Sequence, residues 1–261
     1  MKYYAGIDAG STYVKTAVIN NGSVLGSRVA RSGVVCAETA GRLLDDLLSD
    51  LGLHRADLAS VMATGYGRRT ILFADDTVSE IAAHAGGTRM TAPEGVRVKT
   101  IIDIGGQDSK VIVLDDDGEV KNFVMNDKCA AGTGRFMEVL AETLEASIDE
   151  LGELARRSTN PCQINSLCVV FAQSEVISLL ARGKDRADIV AGLHNSLAAR
   201  VGRMARRDGL QRDVLMTGGG ALNSGLQAAF EEELMTDVHV ARHAQFNGAI
   251  GAAVLAQKRT G

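Results

Sequence analysis

The sequence has 261 residues, of which 46% are hydrophobic and 23% charged, and its net charge is −4. This composition is typical of a soluble globular protein and leaves room for two lobes of ordinary domain size. No basic stripe with interleaved aromatic residues occurs, which argues against nucleic-acid binding, and the longest small-apolar run, 248–256, is too short to cross a bilayer. The first residues enter a strand pattern without a secretion signal, so we predict a cytoplasmic protein with no membrane partner.

The first element is a β-hairpin with a glycine at its tip. Residues 3–9 predict a strand that ends in Asp8-Ala9-Gly10-Ser11-Thr12, and Val14–Ile19 predicts the returning strand. Backbone N–H groups and hydroxyls at such a tip suit phosphate oxygens, and the carboxylate suits Mg²⁺ held through water. For one copy alone, an ordinary glycine-rich hairpin is the simpler interpretation.

The same unit recurs near residue 100. Asp103-Ile104-Gly105-Gly106-Gln107-Asp108 leads into a second predicted strand that ends at Leu114, and Asp103 follows Asp8 by 95 positions. Internal duplication fixes architecture, so the matched pair predicts two similar lobes that face each other across a cleft. The pair also favours phosphate binding over two unrelated hairpins.

A third glycine cluster follows the short apolar strand Val214–Thr217. Gly218-Gly219-Gly220 then opens a predicted helix that runs to about Leu234. A glycine-rich turn at a helix start suits the sugar and phosphate of a nucleotide, although such turns are common in α/β proteins.

Polar residues near the two hairpin tips allow several interpretations. Lys15 and Lys110 each lie five residues past the glycine of their turn, and we interpret them as solvated strand lysines rather than phosphate ligands. Gln107 lies on the second turn and is the better candidate for orienting an attacking water. Glu80 opens a predicted helix, where a carboxylate is expected for helix stability alone.

The four cysteines are Cys36, Cys129, Cys162 and Cys168. A reduced cytosol argues against disulfides, which leaves buried thiols or metal ligands. Cys129 and Cys168 precede predicted helices, where the helix dipole favours the thiolate that iron needs. Cys36 lies in a strand-like stretch and Cys162 precedes its helix by several residues, so both are interpreted as small apolar residues. Spacing alone does not favour a cluster, because no C-x-x-C run occurs.

At this point the chain resembles a known family. The three glycine turns resemble the two phosphate motifs and the adenosine motif of the actin/Hsp70/sugar-kinase superfamily. Three narrower segments resemble the activator component of 2-hydroxyacyl-CoA dehydratases and the ATPase subunits of ATP-dependent benzoyl-CoA reductase: Ala63-Thr64-Gly65-Tyr66-Gly67-Arg68, Asn126–Phe136 and Cys168–Val176. The similarity extends over almost the whole chain. It departs from the family pattern at Gln173, where a Glu is common, and at Gly220-Ala221.

The resemblance implies a two-lobed α/β fold, ribonuclease H-like, with duplicated mixed-sheet domains and a nucleotide in the cleft. We expect a first lobe over 1–95 and a second over 96–261, with the C-terminal helix packing back on the first. The resemblance further implies a homodimer that shares one [4Fe–4S] cluster, held by Cys129 and Cys168 of each chain. It implies Mg²⁺ and ATP or ADP as further cofactors, and electron transfer from ferredoxin or flavodoxin to an acyl-CoA dehydratase or reductase.

The resemblance also implies which residues form the site, through the motifs that match. Asp8, Asp103 and Gln107 are the candidate catalytic residues. The candidate nucleotide-binding residues are Gly10, Ser11, Thr12, Tyr13, Lys15, Gly105, Gly106, Gly218, Gly219, Gly220 and Gln245. Two other functions stay open: a small-molecule kinase of the same fold, which needs a carboxylate base beside an acceptor pocket, and a non-enzymatic module that only changes shape.

Overall fold

The computed structural model describes residues 2–127, 133–165 and 168–260. The chain folds as two compact units. Unit 1 comprises the residues up to Arg97, the segment Leu114–Lys121 and the residues from Ala241 onward. Unit 2 comprises Val98–Val113 and Asn122–Val240.

Unit 1 is built on a five-stranded mixed sheet. Its strands are β1 (Tyr3–Ala9), β2 (Tyr13–Asn20), β3 (Ser23–Arg31), β4 (Leu58–Thr64) and β5 (Asp76–Thr77), in the order β3-β2-β1-β4-β5. The pairs β1–β2 and β2–β3 are antiparallel, and β1–β4 and β4–β5 are parallel. Its helices are α1 (Cys36–Asp50), α2 (Glu80–Thr91) and α8 (Asn247–Thr260).

Helices cover both faces of this sheet. The buried residues Leu43, Leu44, Leu47 and Leu48 of α1 recur at helical spacing and form a core with the buried side chains of β1 and β2. A separate core joins alanines of α8 to Tyr4, Ile19 and Met62 of the strands. Side chains of β1 point alternately to the two faces of the sheet, so this strand contributes to two cores, one on each face.

Helices α2 and α8 touch through their backbones. A Cβ on Gly251 would lie 1.7 Å from the Ala83 carbonyl oxygen, and one on Gly87 would lie 2.4 Å from the Asn247 carbonyl oxygen. Only glycine fits at such a contact, because any side chain would push the helices apart.

Unit 2 repeats the sheet. Its strands are β6 (Thr100–Ile104), β7 (Ser109–Leu114), β8 (Val120–Asn126), β9 (Val214–Thr217) and β10 (Val238–Val240), in the order β10-β9-β6-β7-β8. Its helices are α3 (Gly134–Thr143), α4 (Leu151–Arg156), α5 (Val169–Ala181), α6 (Arg186–Arg207) and α7 (Ser224–Leu234). Every residue of β6 and β7 is buried, as expected for strands covered on both faces.

The two sheets have the same topology. In each, the first strand pairs with the second on one side and with the fourth on the other, and the third and fifth strands form the edges. This arrangement confirms the predicted duplication of mixed-sheet α/β domains. Among the described residues, no helix combines the length and apolar character needed to span a bilayer.

One local prediction is wrong. Cys36 begins helix α1 instead of continuing a strand. The extended chain ends at Arg31, and Gly33 then adopts a φ of +66°, which turns the backbone away from the sheet. Ser32 fixes this bend, because its hydroxyl donates to the Gly10 carbonyl oxygen at 2.6 Å.

Candidate functional site

The two hairpin tips have the same backbone geometry. The Gly10 N–H donates to the Tyr13 carbonyl oxygen at 3.1 Å, and the Gly105 N–H donates to the Asp108 carbonyl oxygen at 3.0 Å. A Cβ on Gly10 would lie 2.7 Å from that Tyr13 oxygen, and one on Gly105 would lie 2.5 Å from Asp108 Oδ1. Both tips therefore require glycine; we name them turn 1 (residues 8–13) and turn 2 (residues 103–108).

Each turn carries an aspartate paired with a lysine. Asp8 lies opposite Lys15 in the β1–β2 ladder, and Lys15 Nζ is 3.0 Å from Asp8 Oδ2. Asp103 lies opposite Lys110 in the β6–β7 ladder, and Lys110 Nζ is 3.3 Å from Asp103 Oδ2. Residues that are directly opposed in a ladder point to the same face, which is why both pairs form.

The interpretation of the two lysines as solvated is wrong. The Lys110 side chain is 3% exposed and also lies 2.8 Å from Asp108 Oδ1, while the Lys15 side chain is 17% exposed. A buried ammonium is stable only with carboxylate partners, and register supplies them in both hairpins.

A third feature is also duplicated. Thr64 lies opposite Asp8 in the parallel β1–β4 ladder, as Thr217 lies opposite Asp103 in the β6–β9 ladder. Each threonine is followed by Gly-x-Gly. The first glycine has a φ of +90° at Gly65 and +83° at Gly218.

Gly65 packs against turn 1 in the same way as Gly218 packs against turn 2. A Cβ on Gly65 would lie 2.5 Å from the Ala9 carbonyl oxygen, and one on Gly218 would lie 2.4 Å from the Ile104 carbonyl oxygen. The sequence analysis aligned only the Asp-x-Gly tips and missed this correspondence. The shared pattern Thr-Gly-x-Gly after a short apolar strand was the signal that could have found it.

The two threonines differ in their bonding. Thr217 Oγ1 donates to Asp103 Oδ1 at 2.9 Å. In the part of the chain that the structure describes, Thr64 Oγ1 and Thr12 Oγ1 are buried without a hydrogen-bond partner. Buried hydroxyls without partners are rare in native proteins, so turn 1 and the adjacent end of β4 have unused hydrogen-bonding capacity that suits the oxygens of a ligand.

The predicted nucleotide residues divide between the units. Gly10, Ser11, Thr12, Tyr13, Lys15 and Gln245 belong to unit 1, and Gly105, Gly106, Gln107, Gly218, Gly219 and Gly220 belong to unit 2. Within unit 2, turn 2 and the glycine cluster come together, because a Cβ on Gly218 would lie 2.7 Å from Asp103 Oδ1. Gln107 is exposed on turn 2. Gln245 is half-buried in the 3₁₀ turn Ala244–Phe246, directly before α8.

The glycine cluster leads into helix α7 through Asn223. Its Oδ1 accepts hydrogen bonds from the Gly225 and Leu226 N–H groups, each at 3.0 Å, and so caps the helix. Its Nδ2 lies 3.1 Å from Nε2 of His194, a buried residue in the middle of α6. Burial lowers the pKa of His194 to about 4.

Turn 2 is joined directly to helix α3. The Gly134 N–H donates to the Gly105 carbonyl oxygen at 2.7 Å, and the Arg135 N–H donates to the Gly106 carbonyl oxygen at 2.9 Å. Helix α3 packs against α5, where Gln173 Nε2 donates to Thr143 Oγ1 at 3.2 Å.

Cys168 is the exposed N-cap residue of α5, and Cys129 lies outside the described residues. Large apolar side chains on α5 are also exposed. Val170 is 65%, Phe171 68% and Ile177 54% exposed. An exposed cysteine beside apolar side chains is unusual for a surface that stays in water.

Two acidic side chains hold the segment that precedes Cys168. Asp188 Oδ1 accepts hydrogen bonds from Ser158 Oγ and from the N–H groups of Thr159 and Asn160, at 2.7 to 3.0 Å. The bonds from Asn160 and Ser158 lower the pKa of Asp188. Farther along, the Asn165 N–H donates to the Glu175 carboxylate of α5 at 3.2 Å.

A family model decides the chain's membership. The model described as the BadF/BadG/BcrA/BcrD ATPase family matches residues 5–256. The chain belongs to this ATPase family.

Relatives within the family are similar over their whole length. The (R)-2-hydroxyglutaryl-CoA dehydratase activating ATPase of Acidaminococcus fermentans is 46% identical over 261 residues, which cover 98% of each chain. A solved structure of the activator of the 2-hydroxyisocaproyl-CoA dehydratase from Clostridium difficile with bound ADPNP is 44% identical. Its TM-score is 0.93, and the match covers 99% of this chain and 95% of that one.

A more distant structure identifies the fold class. The ROK family glucokinase of Streptomyces griseus has a TM-score of 0.60 at 16% identity, and the match covers 98% of this chain and 99% of that one. The predicted sugar-kinase-like fold of this ATPase family member is therefore confirmed.

The two remaining cysteines of this family member belong to different units. Cys36 is half-buried in unit 1, and its Sγ would be 3.1 Å from a Cβ on Gly67. Burial, and secondarily Asp8, raise the pKa of the Cys36 thiol. Cys162 is in unit 2, where its N–H donates to the Asp188 carbonyl oxygen at 2.8 Å. Within residues 2–127, 133–165 and 168–260, no group of three or more His, Cys, Asp and Glu side chains could hold a metal ion.

Proposed function

We propose that the chain is an ATP-hydrolysing iron–sulfur activator of a 2-hydroxyacyl-CoA dehydratase. It takes a low-potential electron from ferredoxin or flavodoxin and transfers it to the dehydratase in the cytoplasm. Two copies share one [4Fe–4S] cluster, held by Cys129 and Cys168 of each chain. The similarity to dehydratase activators over the whole chain supports this function.

The observation that carries the coupling of ATP to electron transfer is the bond between turn 2 and α3. Two carbonyl oxygens of turn 2 accept the first N–H groups of α3. In sequence, α3 follows Cys129 by five positions. A nucleotide that shifts turn 2 therefore also shifts the start of the helix beside a proposed cluster ligand.

The two turns fit a magnesium nucleotide. In this proposal Asp8 and Asp103 hold Mg²⁺ through its water shell, and the turn glycines and Thr12 offer donors to phosphate oxygens. Gln107 orients the attacking water, while Gly218–Gly220 and Gln245 bind the adenosine. The bound nucleotide supplies a phosphoryl bond whose hydrolysis needs mainly positioning and charge stabilisation. We propose residues 1–95 and 96–261 as the two lobes that respond to it.

The exposed end of α5 fits a shared cluster. A cubane cluster takes four thiolates, so two from each chain complete the set across a two-fold axis. The same association covers Val170, Phe171 and Ile177, whose exposure is otherwise unfavourable. Cys168 offers its thiol at a helix start, where the dipole favours an anion.

Two alternatives are tested together with the main proposal. The chain functions as the resident ATPase subunit of a benzoyl-CoA reductase-type complex if it co-purifies with a reductase under anaerobic conditions. It functions as a small-molecule kinase if the pure protein is colourless and phosphorylates an acceptor.

The test uses protein purified without oxygen. We expect Cys168→Ala to lose its iron, while Cys36→Ala and Cys162→Ala keep theirs. We expect Asp103→Ala to keep iron but to lose ATP hydrolysis and ATP-dependent activation of the dehydratase. If Cys162→Ala lost iron and Cys168→Ala kept it, the ligand assignment would be wrong. Full ATPase activity in Asp103→Ala would remove the nucleotide assignment.

A further inference from the structure

The end of strand β4 carries a buried hydroxyl that makes no bond to the fold. Thr64 is 0% exposed, and its Oγ1 has no hydrogen-bond partner within the described ranges. A buried hydroxyl without a partner costs free energy, because it has lost its bonds to water and gained none in the protein. The fold itself gains nothing from this hydroxyl, so a role toward a bound group accounts for it better.

Asp8 lies beside Thr64 on the same face of the sheet. The two residues are opposed in the parallel β1–β4 ladder, where adjacent strands lie about 4.8 Å apart. Lys15 bonds Asp8 at Oδ2, and no other residue in the described part of the chain donates to this carboxylate. The Oδ1 atom of Asp8 and the hydroxyl of Thr64 are therefore neighbours that both have hydrogen-bonding capacity left.

The equivalent pair in unit 2 uses this capacity internally. Thr217 Oγ1 donates to Asp103 Oδ1 at 2.9 Å, and Lys110 bonds Asp103 Oδ2 at 3.3 Å. The ladder register is the same in both units, yet the threonine of unit 1 makes no bond to its aspartate. Thr64 is therefore the threonine that has its hydroxyl available to a ligand at Asp8.

The group that fits between Asp8 and Thr64 is a water molecule. It must donate to the carboxylate oxygen, which can only accept, and it can form a second bond with the hydroxyl. A phosphate oxygen does not suit this place, because it would bring a second negative charge against the carboxylate. Neighbouring polar groups beyond direct bonding distance are commonly bridged by a water, and a hydrated Mg²⁺ presents several waters as donors.

We propose that Thr64 is a further magnesium-binding residue of turn 1. Its hydroxyl and Asp8 Oδ1 together hold one water of the hydrated ion, while Lys15 holds the other carboxylate oxygen. This inference rests on the proposed role of Asp8 at a magnesium nucleotide. Within the described ranges no three or more His, Cys, Asp and Glu side chains form a metal site, which agrees with an ion held through its waters.

Three substitutions in the iron-loaded dimer test this role. Thr64→Val keeps the shape of the side chain and removes the hydroxyl, Thr64→Ser keeps the hydroxyl, and Thr217→Val makes the matched change in unit 2. Calorimetry measures ADP binding at increasing Mg²⁺ concentrations. We expect Thr64→Val to raise the Mg²⁺ concentration of half-maximal effect about tenfold, as for the loss of one hydrogen bond, and Thr64→Ser to stay within about threefold.

The thermal midpoint without ligand separates binding from structure. Removal of a hydroxyl that has no partner does not weaken the fold, so we expect Thr64→Val to match or exceed the unsubstituted dimer. We expect Thr217→Val to lower the midpoint, because it leaves the buried Asp103 Oδ1 without its donor.

Asp8→Asn is the reference for the magnesium site. A normal Mg²⁺ dependence in Thr64→Val, beside a loss in Asp8→Asn, would overturn the role of Thr64 and leave the nucleotide site intact. A lowered midpoint in ligand-free Thr64→Val, as in Thr217→Val, would show a structural hydroxyl and also overturn it. ADP binding that is independent of Mg²⁺ in the unsubstituted dimer would overturn both this inference and the magnesium assignment of turn 1.

Discussion

His194 is an ionisable residue held without charge inside unit 2. Asn223 uses its oxygen to cap α7, so its amide nitrogen faces His194 Nε2, which must accept. The ring hydrogen is therefore on Nδ1, which in the described chain is buried without a partner. A second ring proton would make the imidazole positively charged away from water, so burial lowers its pKa to about 4.

This lowered pKa makes stability depend on pH. An unfolded histidine has a pKa of about 6.5, so between that pH and about 4 the unfolded chain binds a proton that the folded chain does not. The free energy of unfolding consequently rises with pH through this window, and the contribution of His194 is lost as the pH falls through it. The difference between about pH 7.5 and about pH 5 is roughly 2 kcal/mol from His194.

We expect His194→Gln to remove that difference, because its oxygen can still accept from Asn223 but does not titrate. Chemical denaturation of both proteins at the two pH values measures it. An unchanged pH dependence in the variant would mean that other groups cause it.

Single residues show which parts of the site a sequence can predict. The glycines of turns 1 and 2 were predictable, because a local pattern demands them. The burial of Lys110 was not, since it depends on which residues lie opposite in the ladder and on what covers the sheet. The place of Thr64 beside Asp8 depends on the parallel pairing of β1 with β4, so no local pattern indicates it.

At the scale of elements, the link between turn 2 and α3 is the feature with the most direct consequence. The first N–H groups of a helix have no partner within the helix. In α3 two of them are bonded to the carbonyl oxygens of Gly105 and Gly106. A movement of turn 2 and a movement of the α3 start are therefore the same movement. In the proposed activator, we expect solvent access and N–H···S bonding at the cluster to respond to it.

Replacing Gly134 by proline tests this link. Proline is tolerated at the first position of a helix, and Thr133 is already extended, at φ −129° and ψ 166°. Gly134→Pro removes the N–H that bonds Gly105, while Gly134→Ala keeps it. We expect the cluster potential of the unsubstituted dimer to differ between ADP and a non-hydrolysable ATP analogue, and Gly134→Pro to lose at least half of that difference.

Anaerobic redox titration in both nucleotide states measures the effect. A shift of about 60 mV is a tenfold change in a one-electron equilibrium, so a halved shift is resolvable. Nucleotide affinity should remain unchanged in both variants. An equal shift in Gly134→Pro and Gly134→Ala would show that α3 does not transmit the state of turn 2.

For helices and strands, the prediction from sequence is correct where a single local pattern determines the bounds of the element. The strand β9 has the predicted bounds, Val214–Thr217. The start of α1 at Cys36 was missed, because the apolar residues before it favour a strand and only the backbone of Gly33 ends it.

At the scale of the molecule, the duplication predicted from two Asp-x-Gly tips extends to all ten strands that the described residues form. The sequence indicated it through the Asp-x-Gly tips, which both copies need for the same backbone reason, as they also need Gly65 and Gly218. The rest of the two copies has diverged, since helices α3 to α7 of unit 2 differ in number and length from those of unit 1.

The place of α8 in unit 1 also affects how the protein is made. Unit 1 combines the first strands of the chain with a helix that leaves the ribosome only after all of unit 2. Until then the sheet face around Tyr4, Ile19 and Met62 lacks its cover. The residues of unit 2 end at Val240, so we expect the usual order, in which the N-terminal part folds first, to be reversed.

We expect ribosome-bound chains arrested after Val240 has emerged to protect unit 2 from protease but not unit 1. Chains arrested after α8 has emerged should protect both. A protected unit 1 in the shorter chain would show that its sheet folds without α8. If unit 1 stays unprotected until α8 emerges, chaperones that meet this protein during translation bind its N-terminal part for most of the time that synthesis takes.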